Sequence, residues 1–328
     1  VTLRRWAGVL CTLALALSAG CGGGSGGGDP LAEPPATTGG GVGTRPTAGG
    51  YQPFTVLGTV SDPGIGESSG LAASRRNPGL LWTHNDSGDD PLLYCLDLKA
   101  TPCGVWRVTG AEAWDWEDMA AGPGPRPGEP YLYLGDIGDN LDQRTEIVVY
   151  RIPEPAAAAG GAAVATKAAP AASAPAEALK LRFPDGPHNA EALAVHPTTG
   201  DVYVISKDAQ AARVYKATAP LDASKATTMV QVGTIRLGTG TRGLEQVTGA
   251  DISPDGRRAA LSTYAQGYEL EAPAGGSFDD IWSQPPAPIT LGPRLQGESI
   301  AYRLDGKALL TTSEIVPFPL QQVERRAP

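Results

Sequence analysis

The sequence predicts an all-β protein, a β-propeller of five four-stranded blades closed by an N-terminal strand. Three observations predict it. A short acidic-then-apolar unit recurs along the chain, each copy is followed by a turn and a β-rich run, and few long amphipathic helical runs compete. Radial repetition of this kind protects sheet edges.

The copies are Gly66–Ala72 (GESSGLA), Trp116–Ala120 (WEDMA), Asn189–Ala194 (NAEALA), Gly249–Ser253 (GADIS) and Gly297–Ala301 (GESIA). The runs that follow are LLWTHNDSG, YLYLGDIGDN, DVYVISKD, RAALSTYAQG and ALLTTSE. Turn signals separate unit from run, notably Asn77-Pro78-Gly79, His196-Pro197 through Gly200, Ser253-Pro254-Asp255-Gly256 and Asp305-Gly306. Third strands are read in PLLYCLDL, EIVVYRIP, ARVYKA, GYELEA and PLQQVE, and fourth strands in GVWRVT, LKLRF, MVQVGTIRL and PITLG. The last repeat runs out of chain, and Pro53–Val60 supplies its outer strand. Six blades are the alternative count, if weak strands have been merged. The Ala-, Gly- and Pro-rich stretch 155–178 reads as a solvent-exposed insertion between two strands of the second unit. Alanine would allow a short helix there, but the prolines and the missing apolar face oppose a packed one.

Ahead of the repeats, Arg4 and Arg5 precede an apolar run over 6–19, and Leu17-Ser18-Ala19-Gly20-Cys21 places small residues before a cysteine. The run is short for a membrane span of about 20 residues. The segment resembles a bacterial lipoprotein signal. The resemblance implies a signal peptide over 1–20, lipidation of Cys21, and an extracytoplasmic domain anchored to a bacterial membrane. Residues 21–50 are mostly Gly, Pro, Thr and Ala and read as a flexible linker to a domain over 51–328. Cys11 belongs to the leader; Cys95 and Cys103 flank a short connection between strands, and a disulfide between them is expected in an oxidising compartment. Their spacing does not suit a zinc site.

The formal net charge is -9, and loss of the leader arginines makes it more negative. That disfavours nucleic acid or anionic lipid as a partner of the domain surface and suits divalent cations or basic ligands. In a propeller the start of each inner strand and the end of each second strand share one face. That face gathers Glu67, Glu117, Asp118, Glu191, Asp251 and Glu298. It adds His84, Asn85, Asp86, Asp89, Asp136, Asp139, Asn140, His188, Asn189, Lys207, Asp208, Tyr264 and Glu314. One acidic residue per blade around a narrow channel needs a cation, a proton or Lys/Arg to compensate. Oxygen-only donors suit Ca²⁺, and the candidate metal residues are Glu67, Asp86, Glu117, Asp136, Asp139, Glu191, Asp251 and Glu298. The competing role for each carboxylate is capping of backbone N–H groups at a blade start.

ESSGLAASRRNPGLLWTHNDSGD, DWEDMA, YLYLGDIGDN, VYRIPEP, HNAEALAVHPTTG and GESIAY together resemble an uncharacterised family of bacterial secreted or lipoprotein β-propellers. The resemblance spans roughly residues 60–315, and its wider relatives are phytase, esterase-like, lactonase and NHL-type propellers. It implies the fold and not an activity. The leading expectation is a monomeric surface propeller that binds a small-molecule or protein ligand through its acidic face. A Ca²⁺-dependent hydrolase of a phosphoester or ester is the alternative, with His84, His188 and Glu191 as catalytic candidates. A structural spacer is the third class. No G-x-S-x-G elbow, H-E-x-x-H helix or phosphate loop is present, and Ser68 and Ser299 beside glutamates are weak nucleophile candidates.

Overall fold

The second strands of the blades are buried along almost their whole length: Leu80–Asn85, Val202–Ser206 and Arg258–Thr263 have no exposed position. Both faces of these strands meet a neighbour, so their sequences lack the apolar/polar alternation of a half-exposed sheet. This is what radial stacking of sheets demands. The structure, a computed structural model, describes residues 50–159, 165–237 and 245–326. The leader, Cys11, Cys21 and the linker up to residue 49 lie outside the described residues.

Five antiparallel sheets form the blades. Blade 1 runs from the inner strand Ser68–Ala73 through Leu80–Asn85 and Leu92–Asp97 to Pro102–Arg107. Blade 2 uses Trp116–Pro123, Pro130–Asp136, Ile147–Pro153 and Glu177–Arg182. Blade 3 uses Ala190–Val195, Val202–Ser206, Ala212–Ala217 and Val230–Ile235. Blade 4 uses Val247–Ile252, Arg258–Thr263, Gly267–Glu271 and Ala287–Ile289. Blade 5 takes Ala301–Tyr302, Ala308–Thr311 and Phe318–Glu324 from the end of the chain and Thr55–Val60 from its start, with Val60 opposite Phe318. The five-blade count with N-terminal closure therefore holds, and a sixth blade does not form among the described residues.

Each hydrophobic cluster lies between two blades. Trp82, Trp116, Leu132 and Ile152 join blades 1 and 2; Leu71, Leu81, Leu310 and Phe318 join blades 5 and 1 across the closure. A fully buried Leu or Phe contributes about 1.5–3 kcal/mol, so the closing seam is as well founded as the others. A 3₁₀ helix, Phe278–Ser283, seats Trp282 over Gly233, where a Cβ would come within 2.4 Å of the Trp282 Cβ.

The 155–178 insertion is not simply a solvated loop. Ala171–Ala172 pairs in parallel with Trp106 and Arg107, and the Val105, Ser173 and Ala176 N–H groups donate to Ala165, Arg107 and Thr109 carbonyls. An outer strand has unpaired backbone groups, and this stretch covers them. The expected Cys95–Cys103 disulfide is not formed. Cys95 pairs with Gly104 and Leu96 with Pro102, so a bulge falls at Cys103; both thiols are buried and free, and they lie in hydrogen-bond contact. The described chain begins beside Arg325, which bonds back to Lys307, at the turn end of blade 5 opposite the start of the inner strands.

Candidate functional site

A backbone hydrogen bond closes the turn after the inner strand in four blades: Ser74 to Leu80, His196 to Asp201, Ser253 to Arg258 and Arg303 to Ala308. Counting back equally from each donor reaches Ser69, Glu191, Thr248 and Glu298, and the blade 2 register adds Glu117. Inner-strand bulges fall at this position, between Ser68 and Leu71, Trp116 and Met119, Ala190 and Ala192, and Val247 and Gly249. A bulge re-aims the side chain it carries. The channel therefore has three glutamates and two hydroxyls at its equivalent positions, not one acid per blade.

Two sequence candidates fall outside that ring. Glu67 is exposed, and its backbone only holds the blade 1 loop, donating to Asn85 Oδ1 at 3.2 Å and accepting from Asp86 N at 3.1 Å. Asp251 lies farther along its strand, toward the opposite end of the channel. There it accepts from Tyr302 N at 2.7 Å and Ile252 N at 2.8 Å, and lines a cleft with Arg75 and Pro254. Burial pushes its carboxyl up to about 7. Asp118 sits in the channel wall and accepts from Met119 N (2.7 Å), Leu193 N and Ala250 N (both 2.9 Å). It ties three blades together, the capping role in its strongest form.

At the open end, oxygens of Asp86, Asp115 and Glu117 all lie within 4.8 Å of one another. Asp115 is not among the acids that the repeated unit marks. It stands directly between Trp114 and Trp116, one residue before the repeated unit, and its loop is fixed from behind. Asp136 accepts from Trp114 N at 3.2 Å and from Asp115 N at 3.3 Å and pairs with Arg144 at 2.8 Å. Gly138 then lets the acids approach, since a Cβ there would lie 2.2 Å from Glu117 Oε1 and 2.4 Å from Asp115 Oδ2. Asp136 and Asp139 are thus positioning residues and not members of the cluster. Asp139 accepts from Arg144 N at 2.6 Å, and its N–H donates to Asn189 Oδ1 at 2.8 Å. Asn140 bonds Asn189 as well. Asp89 is likewise consumed locally by Asn85, Tyr94 and Lys167, and Asp208 by Ser206 and Arg213.

Burial raises the Asp86 carboxyl to about 7, raises Asp115, and drives Glu117 well above the usual carboxylate range. Neighbouring Asp86, Asp115 and Glu298 add to the burial effect on Glu117. Glu298 is also pushed well up, by burial and then by the neighbouring Glu314 carboxylate. Ser69 donates to Glu298 Oε2 at 3.1 Å and Gln296 to Glu314 Oε2 at 2.6 Å. Three cations face these acids: Lys207, which pairs with Glu191 Oε1 and lies 5.2 Å from the Tyr264 ring, Arg144, which acts on Asp115, and Arg294, which acts on Glu298. Glu191 Oε2 is buried without a hydrogen-bond partner. Carboxylates outnumber cations here, and like charges in a poorly solvated site favour any species that neutralises them.

The histidines are elsewhere. His84 is fully buried against Trp116, its ring beside Gly70, and burial lowers it to about 4. Its Nδ1 faces Asn85 O at 2.9 Å, and the Asp118 backbone lies beside the other side of the ring. His188 is stacked on Tyr215 and contacts Asp185 at 2.9 Å and Arg213 at 3.1 Å, within the Asp185–Arg213 cluster of blade 3. Neither is placed with the Asp86–Asp115–Glu117 group. Ser68 and Ser299 are locked in a buried hydroxyl chain with Thr83 and Thr312, which removes them as nucleophiles.

An all-oxygen donor set suits Ca²⁺. Two oxygens bound to one Ca²⁺ at about 2.4 Å lie no more than about 4.8 Å apart, a bound these three carboxylates meet. Asp86, Asp115 and Glu117 would be the protein ligands, with Glu191 Oε2 as a further acceptor on the rim. No family model matches the sequence, and no curated protein is similar to it. Among solved structures, a luciferin-regenerating enzyme shares 12% identity, with 81% of this chain and 94% of that one covered, at a TM-score of 0.42. The β-propeller domain of Cps50 (Swd1) from Myceliophteria thermophila shares 12% identity over 82% of this chain and 99% of that one, at a TM-score of 0.44. The fold follows from the chain's own five sheets: this is a five-bladed β-propeller.

Proposed function

We propose that the protein is a lipid-anchored, extracytoplasmic propeller that binds a small-molecule or protein ligand through the acidic end of its channel, with Ca²⁺ held by Asp86, Asp115 and Glu117. The observation that carries this reading is the convergence of those three carboxylates, one of them fully enclosed, without a matching number of cations. The ion supplies positive charge and open coordination positions; the protein supplies three oxygens on loops fixed by Asp136, Arg144 and Gly138. The family resemblance and acylation of Cys21 belong to the same proposal. The hydrolase reading gains no support, since neither His84 nor His188 is in place to move a proton at this cluster.

The test is calorimetric titration of the full chain with Ca²⁺, beside Asp115→Asn. One bound ion in the parent and at least tenfold weaker binding in the variant are expected; no binding at millimolar Ca²⁺ would remove the ion from the account. Radiolabelled palmitate should enter the parent and not Cys21→Ala.

A further inference from the structure

Among the described residues, Trp114 is the one exposed tryptophan, with 73% of its surface open to solvent. It precedes Asp115 in the chain and stands on the blade 2 rim of the acidic mouth. Exposed as it is, the residue is held in place. Its N–H donates to Asp136 Oδ2 at 3.2 Å, and the Arg144 guanidinium lies over the indole, 5.6 Å from the ring centroid. Arg144 is fixed in turn by Asp136 Oδ1 at 2.8 Å and Gly138 O at 2.7 Å. One face of the ring is therefore covered by a positioned cation, and the other is open. The supports of the ring are also those of the carboxylate cluster, because a Cβ on Gly138 would meet both Glu117 Oε1 and Asp115 Oδ2. An open aromatic face and a group of metal-ligating oxygens thus share one rigid loop pair.

We infer that the ligand of this mouth is a neutral saccharide: the open face of Trp114 stacks on the C–H face of one sugar ring, and two adjacent hydroxyls of that ring complete the coordination of the Ca²⁺ held by Asp86, Asp115 and Glu117. Ca²⁺ takes about six to eight oxygens, and each of the three residues offers one to the cluster, so positions remain for outside oxygens. Charge selects which oxygens. Three carboxylates already exceed the two charges of the ion, and the cations nearby are engaged, Lys207 with Glu191 and Arg144 with Asp136. A ligand carboxylate or phosphate would add to the repulsion, whereas a hydroxyl brings a lone pair without a charge. The indole selects the rest, because it rewards a flat apolar face. A purely apolar ligand would leave the ion to water, and a linear polyol has no face for the ring; a sugar ring has both. The inference rests on the reading of the acidic end as a Ca²⁺-assisted binding face and names the class of ligand that face takes.

Affinity electrophoresis of the full chain tests it, in native gels that hold dextran, pullulan or galactomannan at millimolar Ca²⁺. At least one of these neutral polymers should retard the protein. EDTA should abolish the retardation, and so should cleavage of the polymer with periodate followed by borohydride reduction, which removes its vicinal diols. Trp114→Ala should weaken the interaction about tenfold and Trp114→Phe by less. The melting temperature and Ca²⁺ affinity of Trp114→Ala should stay at the parent's, since the ion is held by carboxylates and not by the indole. Retardation by none of the polymers overturns the inference, as does retardation that survives EDTA or Trp114→Ala. Equal or stronger retardation by polygalacturonate overturns the selection of a neutral ligand. Ca²⁺ titration of the parent separates the two failures: an ion bound without retardation removes this inference alone, and no ion bound removes the reading beneath it.

Discussion

Buried acids occur at both ends of the channel and in its wall, and they are handled differently. Asp118 and Asp251 are satisfied by backbone N–H groups, three and two respectively. Asp86 accepts a single backbone N–H, from Ser87, while the Asp115 and Glu117 carboxylates face Asp86 and each other, with Lys207 turned to Glu191. The first arrangement stabilises the fold by supplying acceptors for donors that would otherwise be orphaned. The second costs stability and is retained where a cation can offset it. Burial alone does not mark a functional acid; the lack of matching donors does.

The largest effect should come from the structural acid. Asp118→Ala strands three buried N–H groups at about 1–3 kcal/mol each, so a loss of about 3 kcal/mol or more is expected in urea unfolding. Asp251→Asn should cost about 1–2 kcal/mol and leave Ca²⁺ affinity unchanged. Glu117→Gln reverses the pattern: in EDTA the melting temperature should hold or rise, while Ca²⁺ affinity falls at least tenfold. If Glu117→Gln instead destabilised the domain as much as Asp118→Ala, the distinction between the two kinds of acid would fail.

A smaller effect is in pH dependence. The Asp86 carboxyl is raised from an ordinary 3.8 to about 7 in the folded state. A raised carboxylate contributes its stability below pH 4 and loses it as pH climbs toward 7. In EDTA, Asp86→Asn should therefore gain on the parent in melting temperature between pH 5 and pH 8. His84, lowered from 6.5 to about 4, works in the opposite direction in both proteins, losing stability as pH falls through that window. Comparing the variant with its parent cancels that contribution. Gly138→Ala should give the smallest change in stability but a measurable loss of Ca²⁺ affinity, because its methyl would displace the Asp115 and Glu117 carboxylates.

The blades were legible because their signals are local. Asn77-Pro78-Gly79 and Asp305-Gly306 mark turns, and runs such as DVYVIS between them can only be strands buried on both faces. The outer strand Thr55–Val60 was legible by arithmetic, since blade 5 lacked one. The site was legible in part. Glu117, Glu191 and Glu298 were found because they repeat at one position, but Glu67 and Asp251 were aligned with them by residue type. A bulge sets which residue turns into the channel, and nothing in ESSGLA or GADIS states where the extra residue sits. Ser69 and Thr248 were overlooked for the same reason. Asp115 belongs to no repeat; its membership depends on Asp136 and Gly138, supplied by the neighbouring loop. His84 looked available beside Asn85 and Asp86, yet alternation along its strand sends its ring inward against Trp116.

The central claim is that the unmatched carboxylates at the mouth hold a cation, and Ca²⁺ titration of the full chain beside Asp115→Asn tests it most directly. The account predicts one ion per chain in the parent, at least tenfold weaker binding in Asp115→Asn, and a melting temperature in EDTA that for Asp115→Asn equals or exceeds the parent's. Equal Ca²⁺ affinity for both proteins, or none for either at millimolar concentrations, would contradict it.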